Sequence, residues 1–149
     1  MKIALTMFCL VTTIFISRAN SLPGNNLEDD KLKKECMNRV IAHDDSLGKI
    51  RNHACEKISL SQSIKDYSAG MKKFSYKKCP ESFKKAFERH RQAWADMLVV
   101  TDKYPDLRGE MHVLFKQLEE GKDAELFKPL LKAIWDTWAE VENARKENK

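Results

Sequence analysis

Two histidines on apolar helical faces are the side chains best placed to do chemistry in this chain. His90 lies between Phe87 and Trp94 at three- and four-residue spacing, so the three share one helical face. His43 lies on the apolar face of an earlier helical segment. A buried imidazole must find a hydrogen-bond partner or line a pocket. We therefore take His90 and His43 as candidate ligand-binding residues; in the alternative reading, each is a core histidine with satisfied hydrogen bonds.

If both rings faced one cavity, they would form an acid-sensitive core or a site for a small ligand or a metal ion. The ion is the weaker expectation, because the sequence has no HExxH motif and no Cys-x-x-Cys motif. We therefore predict no metal site and no cofactor.

The tryptophans offer a second kind of site, an aromatic groove for a partner or a sugar. Trp94 and Trp138 lie centrally on their apolar stripes, as core residues do. Trp135 lies at the margin of its stripe, so we expect it to be the most exposed of the three. Trp94 and Trp135 join the candidate ligand-binding residues.

Three cysteines remain once Cys9, which lies in an N-terminal segment expected to be removed, is set aside. In an oxidising compartment they predict one disulfide and one free thiol. Cys36 lies on an apolar helical face, where a thiol behaves as a small hydrophobe. We therefore predict that Cys55 pairs with Cys79 and that Cys36 is free. A hairpin turning at residues 46–48 would instead bring Cys36 near Cys55.

Cys79 also supports an alternative reading as a thiol nucleophile. It lies at the entrance of a helix beside Lys77 and Lys78, surroundings that lower the pKa of a free thiol. No partner motif supplies a base or a resolving thiol, and no phosphate loop, nucleophile elbow or serine triad signature is present. We therefore expect no catalytic residues.

These residues must be positioned by helices, because no segment shows the alternation and turn chemistry of strands. The sequence predicts an all-α, single-domain helical bundle of four to six helices spanning residues 28–146. A disordered lead-in is expected over 20–27 and a frayed tail over 147–149. The expected helices span about 28–47, 49–57, 60–70, 80–104, 105–120 and from 129 to the tail.

The N-terminus is typical of a secretory signal peptide. Lys2 precedes an uncharged run over 3–16, and small-x-small cleavage patterns follow at 17–19 and 19–21. The run is short for a membrane span, so an anchor is the weaker reading. We therefore predict a signal peptide over 1–19, no stable membrane span after its cleavage, and a secreted or periplasmic protein.

Charge argues against nucleic acid as a partner. The chain has 27 basic and 22 acidic residues, and removal of Lys2 and Arg18 lowers the net charge from +5 to +3. The remaining charges are interleaved along helices, as on a solvated surface.

A short stretch resembles the lysozyme-inhibitor-like helical family. The resemblance rests on Cys79 followed by a helix that contains Gln92-Ala93-Trp94, and it covers about a dozen residues. The family's following Arg-Asp pair is replaced by Asp96-Met97, and its later cysteine is absent. The resemblance implies inhibition of an envelope enzyme as one alternative function.

Together these patterns predict an exported, non-catalytic binding protein. Its partner would be a protein or small molecule of the envelope or extracellular space, which the sequence does not identify. The alternatives are a carrier of a small ligand or metal with a cavity around His90 and His43, an envelope enzyme inhibitor, and a thiol-based enzyme that uses Cys79.

Overall fold

The computed structural model describes residues 23–148, with side chains from Leu27 onward. The predicted signal peptide over 1–19 lies outside the described residues, as do residues 20–22 and 149. Within the described range all regular elements are helices. They are α1 (Pro23–Ala54), α2 (Leu60–Lys72), α3 (Glu81–Asp96), the single turn α4 (Leu98–Thr101), α5 (Met111–Glu120) and α6 (Ala124–Glu147). The predicted all-α bundle of four to six helices is confirmed.

Helix α3 lies at the centre of the bundle. It packs most extensively along α6 and also contacts α2, while α1 packs on α2 and α5 on α6. The stripe predicted for this segment is buried, with Phe83 and Phe87 fully inside the core. Burying an aromatic side chain of this size stabilises the fold by roughly 1.5–3 kcal/mol, so this stripe is what fixes α3 between its neighbours.

Helix α1 differs from the prediction because it runs unbroken through Gly48. The predicted stop near residues 46–48 and the separate segment over 49–57 are wrong. One glycine inside a helix costs only about 1 kcal/mol relative to alanine, which packing on both sides of it offsets. The helix also covers residues 23–27, which lie within the predicted disordered lead-in.

The segment after α4 is a loop over residues 102–110, and not the helix predicted to begin near Pro105. The amide of Gly109 donates to the carbonyl of Cys55 at 2.7 Å, and the amide of Leu60 donates to the carbonyl of Leu107 at 2.8 Å. These bonds hold the loop against the α1–α2 junction. Gly109 has a φ of +150°, which only glycine adopts without strain.

Helix α5 then begins at Met111, where the Glu110 carboxylate accepts a hydrogen bond from the amide of Val113 at 3.0 Å. It ends before Gly121, as predicted. A Cβ at Gly121 would lie 2.9 Å from the carbonyl oxygen of Gln117, so no larger residue fits that end of the helix.

Helix α6 begins at Ala124, five residues before Pro129, where it was predicted to open. The core side chain Phe127 lies in this first stretch and is fully buried, which anchors the helix ahead of the proline. The helix continues to Glu147, one residue into the predicted frayed tail.

The disulfide joins Cys36 to Cys79, with 5.1 Å between their Cα atoms, and Cys55 is a buried free cysteine. The predicted pairing of Cys55 with Cys79, with Cys36 free, is therefore wrong. An unbroken α1 places Cys36 and Cys55 about 28 Å apart along its axis, at 1.5 Å per residue. Because α2 returns alongside α1, the segment that follows it reaches the Cys36 end and not the Cys55 end.

Within residues 23–148, no helix combines the length and the apolar character needed to cross a membrane.

Candidate functional site

A cleft of about 290 Å³ opens between α1 and α6, above a floor formed by α2 and α3. Helix α1 packs on α2 and helix α6 packs on α3, which leaves the cleft between α1 and α6. The two outer helices are joined outside the cleft, where Arg145 donates to Asn38 Oδ1 at 3.0 Å. The lining residues are Asp44, Asp45, Gly48, Lys49, Arg51, Asn52, Tyr67, His90, Trp94, Ile134, Trp135 and Trp138. Three of the four predicted ligand-binding residues, His90, Trp94 and Trp135, are among them.

Gly48 leaves the α1 wall of the cleft without a side chain. A Cβ built at this position meets only the Nη2 atom of Arg51, at 3.8 Å, so the space beside it is open. The glycine that the sequence indicated as a helix stop is therefore a gap in the wall of the cleft.

Arg51 of α1 stacks its guanidinium on two aromatic rings of the cleft floor. Its guanidinium carbon lies 3.6 Å from the ring centroid of Trp94 and 4.6 Å from that of Tyr67. Its Nε and Nη2 atoms donate to Asn52 Oδ1 at 3.2 and 3.0 Å. Among the ion pairs of the described residues, none joins Arg51 to a carboxylate within 4.0 Å. The cation is thus held in place by stacking and by a neutral amide.

Asp44 is a buried acceptor at the edge of this floor. The hydroxyl of Tyr67 donates to its Oδ1 atom at 2.5 Å, which leaves Oδ2 as a further acceptor. Burial raises the pKa of Asp44, while the bond from Tyr67 and the nearby charge of Arg51 act in the opposite direction. Tyr67 therefore fixes the carboxyl group and stabilises its charged form.

His90 is a core histidine with both ring nitrogens engaged, and only 4% of its surface is exposed. Trp94 Nε1–H donates to His90 Nε2 at 3.2 Å, so the ring proton is on Nδ1 and is donated to Thr137 Oγ1 at 3.1 Å. The Thr137 hydroxyl donates in turn to the carbonyl of Ala133 at 2.7 Å. Burial lowers the pKa of His90 to about 4, so the ring is neutral at physiological pH.

His43 does not share the cleft with His90. Its ring stacks on Phe74 with 4.6 Å between centroids. Residues two apart on a helix point about 200° apart, so His43 lies almost opposite Asp45, which lines the cleft. The predicted cavity around His90 and His43 is therefore wrong. Within the described part of the chain, no group of three or more His, Cys, Asp or Glu residues is arranged to hold a metal ion.

The tryptophans divide as the sequence predicted. Trp94 is 6% exposed and belongs to the core, whereas Trp135 is 63% exposed and lines the cleft. Trp138 is half-buried and packs on His90, with 5.1 Å between ring centroids. Trp135 is thus an aromatic surface that the cleft presents to solvent.

Sequence reasoning missed Asp44, Arg51 and Tyr67. A signal was present, because Asp44, Gly48 and Arg51 follow one another at spacings of four and three residues. The spacing places a carboxylate, a gap and a cation on one face of a helix. The supposed stop at Gly48 concealed it by assigning Arg51 to a separate segment.

Cys79 lies in the disulfide and carries no free thiol in this structure, which removes the basis of a thiol-based enzyme. Among the cysteines that the structure describes, the free one is Cys55, whose thiol donates to the carbonyl of Arg51 at 3.1 Å. Burial raises the pKa of the Cys55 thiol, which makes it a poor nucleophile.

Comparisons with protein-family models, curated proteins and solved structures found no match to this chain. They give no support to the resemblance around Gln92-Ala93-Trp94 to the lysozyme-inhibitor-like helical family.

Proposed function

We propose that this chain is an exported, non-catalytic binding protein that holds a small ligand in the cleft between α1 and α6. The observation that carries the proposal is that three features costly to stability meet in this cleft. Gly48 leaves a gap in the row of side chains on a long helix. Arg51 is a half-buried cation with no carboxylate within 4.0 Å, and Trp135 exposes an indole ring. A ligand that fills the gap, contacts the cation and covers the indole would offset all three costs.

Binding is favoured over catalysis by the state of His90. It is the group in the cleft best suited to acid–base chemistry, but burial keeps it neutral and both of its nitrogens are already bonded. The ring therefore supports the cleft wall and has no lone pair left for a substrate proton.

Export is supported by the predicted signal peptide and by the disulfide between Cys36 and Cys79. Disulfides form and persist in oxidising compartments, so the expected location is secreted or periplasmic.

The test is a fragment titration of the ¹⁵N-labelled protein with a set of small aromatic, amide and polyol compounds. We expect chemical shift changes at the amides of Asp45, Lys49 and Asn52 and at the indole of Trp135. Gly48→Phe should abolish them because the ring would fill the open space, whereas Gly48→Ala should keep them. Shift changes that map elsewhere, or that persist in Gly48→Phe, would contradict the proposal.

A further inference from the structure

We infer that the ligand of this cleft is a neutral saccharide, bound through one sugar ring. The inference rests on the proposed function and specifies the chemistry of the molecule that the cleft takes.

The charges around the cleft favour a neutral ligand with both donors and acceptors. Asp44 and Asp45 are balanced there by Lys49 and Arg51. An anionic ligand would lie beside two carboxylates, and a cationic ligand beside an ammonium and a guanidinium. Hydroxyl groups donate to the first pair and accept from the second, so a polyhydroxylated molecule can satisfy both.

The exposed indole of Trp135 adds a flat apolar surface beside these four charged side chains. Trp135 lines the cleft with 63% of its surface in solvent, and the half-buried Trp138 lies one turn away on α6. A sugar ring has an apolar C–H face, which stacks on indole, and a hydroxyl-bearing edge. A purely apolar ligand would cover the same indole but would remove Asp45 and Lys49 from water without replacing their hydrogen bonds.

Several of the polar groups are held in place before any ligand arrives. Tyr67 fixes Asp44 through Oδ1, and the rings of Trp94 and Tyr67 together with Asn52 fix Arg51. The remaining Oδ2 of Asp44 and the remaining N–H donors of Arg51 can hydrogen-bond hydroxyl groups of a sugar ring. Because they are preorganised, less conformational entropy is lost on binding.

The size of the cleft limits how much of a glycan it can hold. Its volume of about 290 Å³ is at the lower end of small-molecule sites, so it fits a single sugar ring or the end of a chain.

The test is a titration of the ¹⁵N-labelled, disulfide-bonded protein with glucose, galactose, mannose and N-acetylglucosamine. Binding is followed by the shifts of the backbone amides of Asp45, Lys49 and Asn52 and, where the residue is present, of the Trp135 indole. Glucosamine and glucuronate serve as the cationic and anionic forms of the same ring. We expect at least one neutral sugar to bind more tightly than both charged forms. Trp135→Ala should weaken that binding at least about tenfold, as expected for a central aromatic contact. The matched control Val99→Ala, an exposed apolar residue outside the cleft, should leave it unchanged.

Three results would overturn the inference: no binding of a neutral sugar at about 50 mM, tighter binding of glucosamine or glucuronate, or an unchanged affinity in Trp135→Ala. If fragments still bind the cleft and are lost in Gly48→Phe, the saccharide inference alone fails. If the fragments also fail to bind there, the proposed function fails with it.

Discussion

The indole N–H of Trp94 donates to the Nε2 atom of His90, one helical turn earlier on α3, at 3.2 Å. This bond fixes the neutral tautomer of His90, because an imidazolium would point a second N–H at the indole donor. The hydrogen bond therefore links the protonation of one core residue to the packing of the aromatic floor under the cleft.

The first prediction is that His90 makes the fold acid-sensitive. Its pKa in the folded protein is about 4, below its ordinary value of 6.5, so between these values the unfolded chain binds more protons. Stability contributed by neutral His90 is full above about pH 6.5 and is lost as the pH falls towards 4. We expect a loss of about 2 kcal/mol in the free energy of unfolding between pH 7.5 and 4.5.

Urea unfolding at the two pH values measures this loss, and the same measurement on His90→Gln is the comparison. The raised pKa of Asp44 acts in the opposite direction in both proteins, so the difference between them isolates the imidazole. Equal losses in wild type and His90→Gln would contradict the prediction.

The second prediction concerns the disulfide. The bond between Cys36 and Cys79 closes a loop with a sequence separation of 43. Cys36→Ser should lower the free energy of unfolding by about 3–4 kcal/mol, because the unfolded chain regains the entropy of the open loop. Thermal unfolding with and without a reducing agent is the measurement.

Cys55→Ala is the control for this experiment. It leaves the disulfide intact, so its melting temperature should still fall when a reductant is added, whereas that of Cys36→Ser should not. If Cys55→Ala also became insensitive to reductant, the pairing would be that of Cys55.

The third prediction compares two glycines. Gly109→Ala should destabilise the protein by about 1–3 kcal/mol, because alanine is strained at a φ of +150°. Gly48→Ala should instead stabilise it by up to about 1 kcal/mol, since the position is helical and the space around it is open. Denaturant midpoints of the two variants are the measurement, and changes of the same sign would contradict the structure.

The fourth prediction tests the link between α1 and α2. Tyr67→Phe removes the hydroxyl that donates to Asp44 and should cost about 1.5–3 kcal/mol, as for a hydrogen bond to a charged group. A double-mutant cycle with Asp44→Ala, which removes the acceptor, should show a coupling energy of at least about 0.5 kcal/mol. Strictly additive effects would show that the two side chains do not interact.

Much of the secondary structure could be predicted from local patterns. The stripe through Phe83 and Phe87 predicted a buried helix, Gly121 predicted a helix stop, and the marginal position of Trp135 predicted its exposure. Each of these follows from neighbours within one or two helical turns, which a periodic sequence records directly.

The prediction failed where a local signal competed with packing. Gly48 has the lowest helix propensity of any residue except proline, but the surrounding helix packs on α2 and continues through it. The cysteine pairing failed for a separate reason. The apolar face around Cys36 predicted a buried free thiol, but the return of α2 along α1 brings Cys79 to Cys36.

The sequence by itself determined an all-helical chain with its apolar stripes, an exposed Trp135 and a mixed set of charges. Only the tertiary structure decided that Cys36 pairs with Cys79 and that Asp44 and Arg51 meet Trp135 in one cleft. The physical reason is that helix periodicity fixes the face on which a residue lies. The direction in which each helix returns along its neighbours depends on contacts between residues far apart in the chain.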